Sequence, residues 1–333
     1  MKRFTGVILS LILLVSVLSG CGTEPSGSGA SAPVSPSAEQ SPQASDDSKA
    51  SDASWPRTIT DASGHEVTLE KEPERITLLH TYPMEYFFAL GVPPTASTLG
   101  NSLGQSSALA DSELYAPYLT DSGILDLGSA REINLEAVLE SNPDVIVTFA
   151  GHKGVDELYE QLTAIAPVVL IDYTASWQDQ LTFCAKIVGK EAEVQSVIAD
   201  IDGVITDAKQ TLSGYSDRTV ALFRTDGKAF ITRGDAVYYN TFGLAKPEGF
   251  GDTTQTVSLE AVAEMNPYYI VFQHNYAASV AFVESMAASA VWQSLDAVKN
   301  GRIYYFDENM NTFGPLTLRL AAEKLTVIYN GNS

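Results

Sequence analysis

The chain has 333 residues, with 41 acidic side chains against 20 basic ones and a formal net charge of −21. A surface this acidic repels phosphate backbones and anionic lipid, which excludes nucleic acid and a charge-attracted membrane surface as partners. The length suffices for two lobes, and the Ser-, Ala- and Pro-rich stretch 22–54 cannot bury enough apolar surface to order itself.

Residues 1–20 read as a processing signal. Lys2 and Arg3 form a positive start, 7–17 is an almost unbroken apolar run, and Leu18-Ser19-Gly20-Cys21 closes it as a lipoprotein box. The run is too short and wrongly flanked to span a bilayer. The expectation is therefore an acylated Cys21 followed by a solvated tether over 21–54, holding the body at the outer face of the cytoplasmic membrane. Two or more acyl chains anchor stably. With Cys21 lipidated, Cys184 has no disulfide partner; set in an apolar helical pattern, it reads as a core residue.

The N-terminal lobe is assigned to 55–174. Alternation over 57–69 around Ala62-Ser63-Gly64 predicts a hairpin, 75–80 a strand, 83–90 a short helix ended by Gly91, and 95–99 a strand before a polar loop. A helix over 132–140, a strand over 144–149, a helix over 155–165 and a strand over 168–172 complete it. Next, 175–213 carries apolar residues at helical spacing, interrupted by Gly189; the part beyond Gly189 reaches about 30 Å as a helix and predicts a connector between lobes. The C-terminal lobe, 214–333, repeats the theme. Strands are expected over 220–224, 229–232, 270–273 and 302–306, and helices over 237–243, 259–264, 281–286 and 316–330. Such alternation gives an α/β fold of two Rossmann-like lobes with mainly parallel sheets.

Sixteen residues are written twice: 134–149 reads NLEAVLESNPDVIVTF and 258–273 reads SLEAVAEMNPYYIVFQ, with nine identities at an offset of 124. Each copy is a polar start, a short amphipathic helix, an Asn-Pro stop and a β-branched apolar strand. The offset is too long for a solenoid, whose periods run roughly 20–50 residues. Two copies imply two similar lobes and a cleft between them.

Together the lipobox, the 57–69 hairpin, Pro73-Glu74-Arg75-Ile76, the EYFFALG run at 85–91, both LEAVxExNPxxIV units, the long helical stretch and WQSLDAVKNGRIYYF at 292–306 resemble the substrate-binding lipoproteins of ABC importers for iron–siderophore, haem and cobalamin complexes. The resemblance spans nearly all of 55–330. It implies a bilobed body with a rigid connecting helix, no resident cofactor, an Fe(III) chelate as cargo, an ABC permease as partner and a monomeric state. It also implies one acidic docking residue per lobe, mapped onto Glu85 and, less closely, Asp235.

Ligands of parallel sheets lie beyond the carboxyl ends of the strands. In the first lobe that rule selects His80, Tyr82, His152, Lys153, Tyr173 and Trp177; in the second, Arg224, His274, Tyr276, Met310 and Phe313, with Arg233 nearby. Arg224, Arg233 and Lys153 suit the anionic oxygens of a ferric siderophore, and the aromatics suit its apolar faces. The histidines open an alternative, in which His80, His152 and His274 grip a bare divalent ion or a haem. Haem, cobalamin or bare-metal transport, and a surface lipoprotein with no transport role, therefore stay open. Nucleophile elbow, phosphate loop, HExxH, paired-Cys and dinucleotide motifs are all missing, so an enzyme is not expected.

Overall fold

Among the described residues, two separate five-stranded sheets and a two-stranded hairpin organise the chain. The computed structural model describes residues 54–99, 109–119, 123–274, 276–307, 309–310 and 312–331, which lie in a single unit spanning 49–333. The expected signal, Cys21 and nearly all of the tether lie outside the described residues. Among the described residues no helix is long and apolar enough to cross a membrane.

The hairpin pairs β1 (Arg57–Thr60) with β2 (Glu66–Leu69). Its alternation buries Ile59, Val67 and Leu69 on one face. The first lobe runs β3 (Ile76–Leu78), α1 (Met84–Ala89), β4 (Ala96–Ser97), β5 (Leu125–Asp126), α2 (Leu135–Glu140), β6 (Val145–Phe149), α3 (Val155–Thr163) and β7 (Val168–Ile171). All five strands are parallel, in the order β5-β4-β3-β6-β7. Helices cover both faces, so Val145–Val147 and Val168–Ile171 are unbroken apolar runs with every residue buried.

Next come α4 (Trp177–Val188) and α5 (Glu191–Ser213), then β8 (Val220–Thr225), β9 (Phe230–Thr232), α6 (Tyr238–Phe242), β10 (Thr256–Val257), α7 (Leu259–Met265), β11 (Tyr269–Phe272), α8 (Tyr276–Ser285), α9 (Ala290–Ser294), α10 (Asp296–Lys299), β12 (Ile303–Tyr305) and α11 (Pro315–Asn330). The second sheet has the order β10-β9-β8-β11-β12. It is mixed rather than wholly parallel, because β9 runs antiparallel to both neighbours. Only residues 226–229 join β8 to β9, too few for a crossover, and Gly227 at φ 88° turns the chain back on itself.

The repeated segments occupy matching places, with β6 and β11 each fourth in its own sheet. Asn134 caps α2 by accepting from Glu136 and Ala137 N–H, and Ser258 caps α7 by accepting from Ala261 N–H. Asn142 (φ 45°) and Asn266 (φ 38°) end the two helices in the left-handed region, where a short polar side chain is tolerated, and the following Pro cannot continue the helix.

The connector forms as the sequence predicts, with the break at Gly189 and a long helix beyond it. Gly189, at φ 71°, ends α4, whose Leu181, Cys184, Ala185, Ile187 and Val188 belong to the first lobe's core. The 23-residue α5, about 34 Å long at 1.5 Å per residue, runs from Val194 in that core to Ala208 and Leu212 in the second. Helix α11 lies against it, with Leu316 in the first core and Leu318, Ala321, Ala322, Leu325 and Ile328 in the second. An Asp200–Arg319 ion pair joins the two helices. Among the described residues α11 therefore crosses the junction beside α5. Cys184 is fully buried, and burial pushes its thiol well up, so it stays an inert apolar residue.

Candidate functional site

Each sheet reverses its strand order at one point, β3/β6 in the first and β8/β11 in the second, and the carboxyl ends of those strands are where ligands of such folds bind. At the first reversal point the side chains form an aromatic wall centred on Phe149, the last residue of β6. Around its ring lie His80 at 5.2 Å, Tyr82 at 5.9 Å, His152 at 5.0 Å and Tyr173 at 5.3 Å between centroids. Tyr173 is 53% exposed and offers its face to solvent, while the Tyr82 hydroxyl donates to Gln180 Oε1 at 2.9 Å. Lys153 is exposed at the rim. Phe149 is not among the residues expected from the sequence. The strand-end rule selects positions beyond a strand, whereas Phe149 is the final residue of the strand itself, and its place at the end of a repeated unit is the signal that marks it.

The two histidines of this wall are brought together, with ring centroids 5.6 Å apart, but not as metal ligands. His152 is 6% exposed, its Nε2 donates to Ala130 O at 2.6 Å, and its Nδ1 accepts from the Thr148 hydroxyl at 2.8 Å. Both nitrogens are committed, which removes it from any ligand set. His80 Nδ1 accepts from Tyr82 N–H at 2.9 Å, so its proton sits on Nε2. Among the described residues no group of three or more His, Cys, Asp or Glu is arranged to hold a metal ion. The three-histidine site is therefore corrected. His274 instead sits at a positive φ of 70°, and its carbonyl accepts from the Ser279 hydroxyl at 3.3 Å.

Burial, with the neighbouring His152 second, lowers the His80 pKa to about 4, and burial lowers His152 as well. Unfolded, these imidazoles titrate near 6.5. Between those values the unfolded chain binds protons that the folded one refuses, so stability is complete at neutral pH and falls as pH drops toward 4. Glu85, whose carboxyl is raised by burial, acts in the opposite sense. Urea unfolding at pH 7 and pH 5 is expected to show a smaller loss in His80→Gln than in the parent, by about 1–2 kcal/mol. Equal losses would contradict this placement of His80.

The second wall is cationic. Arg224 is half-buried on β8, and Arg233, just after β9, is only 8% exposed. Burial first, and the Arg224 charge second, hold the Arg233 guanidinium below its ordinary value. Its Nε lies 3.7 Å from Asp235 Oδ1, and its guanidinium stands 5.9 Å from the Phe313 ring, which packs edge-on against Tyr238 at 5.4 Å. Tyr276 is 49% exposed at the start of α8 and meets Tyr305 edge-on at 5.7 Å. Met310 is not a ligand residue. It is wholly buried, and its carbonyl is held by Gln273 Nε2 at 2.6 Å and the Tyr238 hydroxyl at 3.2 Å. Trp177 packs against the cores of both lobes, so it marks their junction rather than one wall.

The docking assignment also changes. Asp235 is exposed, but it is shared between Arg233 and the Thr254 hydroxyl, which donates at 2.9 Å. Glu85 is 0% exposed, with its carboxylate accepting from Gly314 N–H at 3.1 Å and Thr317 N–H at 2.9 Å. It faces the protein interior and no membrane partner reaches it. The apolar run around it is the signal that the sequence reading missed: Met84, Tyr86, Phe87 and Phe88 are all buried, so α1 has no solvent face. What the repeat does place on the surface is its own glutamate. Glu136 and Glu260 are identical positions, each exposed in the first turn of α2 and α7. A helix leading back into a parallel strand starts at that strand's carboxyl end, so both lie on the cleft side.

Residues 79–310 match the periplasmic binding protein family. The chain is 27% identical to the probable siderophore-binding lipoprotein YfiY of Bacillus subtilis, over 92% of either chain. To the iron(3+)-hydroxamate-binding protein FhuD of the same organism it is 25% identical over 91% of this chain and 90% of that one. Among solved structures it resembles the triscatecholate siderophore-binding protein FeuA of Bacillus subtilis, complexed with ferri-bacillibactin. The TM-score is 0.65 at 19% identity, covering 83% of this chain and 99% of that one.

Proposed function

We propose, from the premise that this chain belongs to the periplasmic binding protein family, that it is the extracytoplasmic receptor of an ABC importer and captures a ferric siderophore. The observation that carries this reading is the pairing of unlike walls at the two strand-reversal points, Phe149, Tyr82 and Tyr173 on one and Arg224 with Arg233 on the other. A ferric siderophore presents apolar faces and anionic oxygen edges, and this pair of surfaces complements both. Relatives named for binding a siderophore, ferric citrate, ferric hydroxamate and petrobactin support it. The iron is cargo held by its own chelator, so the protein needs no metal ligands and no resident cofactor. This is a binding protein and not an enzyme.

In the same reading, Cys21 carries the lipid that moors the chain to the outer face of the cytoplasmic membrane. Glu136 and Glu260 replace Glu85 and Asp235 as the residues that meet the permease, one on each lobe. Trp177 at the junction supplies the signal for a direct test. Titration of intrinsic fluorescence with ferric hydroxamate, ferric catecholate, ferric citrate, haemin, cobalamin and zinc is expected to give saturable quenching by a ferric siderophore at micromolar concentration or below. Binding of haemin, cobalamin or zinc with no response to any ferric siderophore would overturn the assignment.

A further inference from the structure

Glu85 is the one acidic residue in the described residues that is fully buried. It stands on α1, whose Met84, Tyr86, Phe87 and Phe88 belong to the first core. Its oxygens reach across to the segment that leads from β12 into α11. Gly314 N–H and Thr317 N–H donate to Oε1 and Oε2, and the hydroxyls of Thr312 and Thr317, paired with each other at 2.8 Å, lie beside the carboxylate and favour its charged form. The carboxylate thus caps a 16-residue helix that contributes most of its apolar face to the second core. The fit leaves no slack: a Cβ on Gly314 would lie 2.3 Å from Glu85 Cδ.

Both neighbouring segments carry cleft residues. On one side, Tyr82 and His80 lie a few residues before Glu85. On the other, Phe313 precedes Gly314 and packs on Tyr238 beside Arg233. Burial first, with the Glu85 carboxylate among the further causes, raises the hydroxyls of both Tyr82 and Tyr238. A buried charge whose partners stand on the helix that passes from one core into the other is costly to separate from them, since parting would leave the carboxylate and the helix N–H groups unpaired.

We propose that Glu85 is a positioning residue, a latch between the lobes that fixes the aromatic wall and the arginine wall in the relative placement that ligand binding requires. It acts through Phe313 and Tyr82 and touches no ligand itself. Glu85→Gln is the informative change. It keeps the shape, but an amide nitrogen cannot accept from a backbone N–H, so one of the two backbone hydrogen bonds is lost.

The test measures inter-lobe distance without any ligand, so it is independent of the siderophore assignment. Spin labels go on Glu140→Cys and Glu264→Cys, exposed equivalents on the two lobes, in the full chain with Cys21→Ser; the buried Cys184 stays unlabelled. For Glu85→Gln the distance distribution is expected to broaden or shift relative to the parent while cooperative unfolding persists. Affinity for whichever ferric chelate quenches the parent should fall about 5- to 50-fold. A distribution that superimposes on the parent's, whatever happens to the melting temperature, overturns the proposal and leaves Glu85 a purely structural cap. Should Glu85→Gln fail to fold, Thr317→Val, which removes only a hydroxyl from the latch, decides the same question by the same distance measurement.

Discussion

Arg224→Ala is expected to weaken binding of a ferric siderophore by about 10- to 100-fold, the equivalent of roughly 1.5–3 kcal/mol for a lost charge-assisted hydrogen bond. The two guanidiniums lie close enough for Arg224 to depress the Arg233 pKa, and Arg233 is nearly buried, so they repel each other in the empty protein. An anionic oxygen edge between them relieves that repulsion and gains both cations at once. Removing Arg224 should therefore leave the urea midpoint unchanged or slightly higher while affinity drops. Arg233→Ala should cost a comparable factor, and the double variant less than the sum, because the two cations hold one anionic edge jointly and losing either already weakens the grip of the other. Binding by the parent should weaken as salt rises from about 0.05 to 0.5 M, and binding by the double variant much less. Fluorescence titration checks all of this. Parent-like affinity in Arg224→Ala at low salt would remove the arginine wall from the binding site.

Glu136→Ala with Glu260→Ala together should lower uptake of iron chelate into cells by roughly tenfold or more, while the purified variant binds its ligand as the parent does. Either change alone should have a small effect, since an exposed ion pair is worth only about 0–1 kcal/mol. Both lobes must seat at once, however, and losing both charges removes the orientation as well as the attraction. The two residues are exposed first-turn positions in duplicated helices, so neither supports the core and the melting temperature should not move. Normal uptake by the double variant, present at parental level, would show that the permease reads other surface features.

The sequence patterns that survived folding are those set by local chemistry. The repeated LEAVxExNPxxIV units became α2–β6 and α7–β11 as expected, because a capping side chain, an Asn in the left-handed region, a Pro and a β-branched run specify helix, stop and strand with little help from elsewhere. The 57–69 hairpin came from alternation around a Gly turn. The strand-end rule picked out His80, Tyr82, Tyr173 and Arg224 because β3, β7 and β8 were each recognisable. The antiparallel β9 was legible too, in a four-residue connection that no crossover fits, but the alternation of strands and helices masked it.

Side-chain roles were a different matter. Glu85 in a short apolar helix, His152 after a strand and Met310 in a loop look the same in one dimension whether they face solvent, ligand or core. Their fates turned on partners far along the chain or in another segment: Gly314 and Thr317 for Glu85, Ala130 for His152, Gln273 and Tyr238 for Met310. By itself the sequence determined the α/β class and the presence of two related lobes, since these rest on hydrophobic period and on the repeated segment. Only the tertiary structure decided that α11 joins α5 across the junction, that a carboxylate is buried there, and that aromatic side chains gather at the strand ends of one sheet and two arginines at those of the other. Those outcomes depend on which groups become neighbours, and burial and hydrogen-bond satisfaction are properties of neighbours rather than of any residue alone.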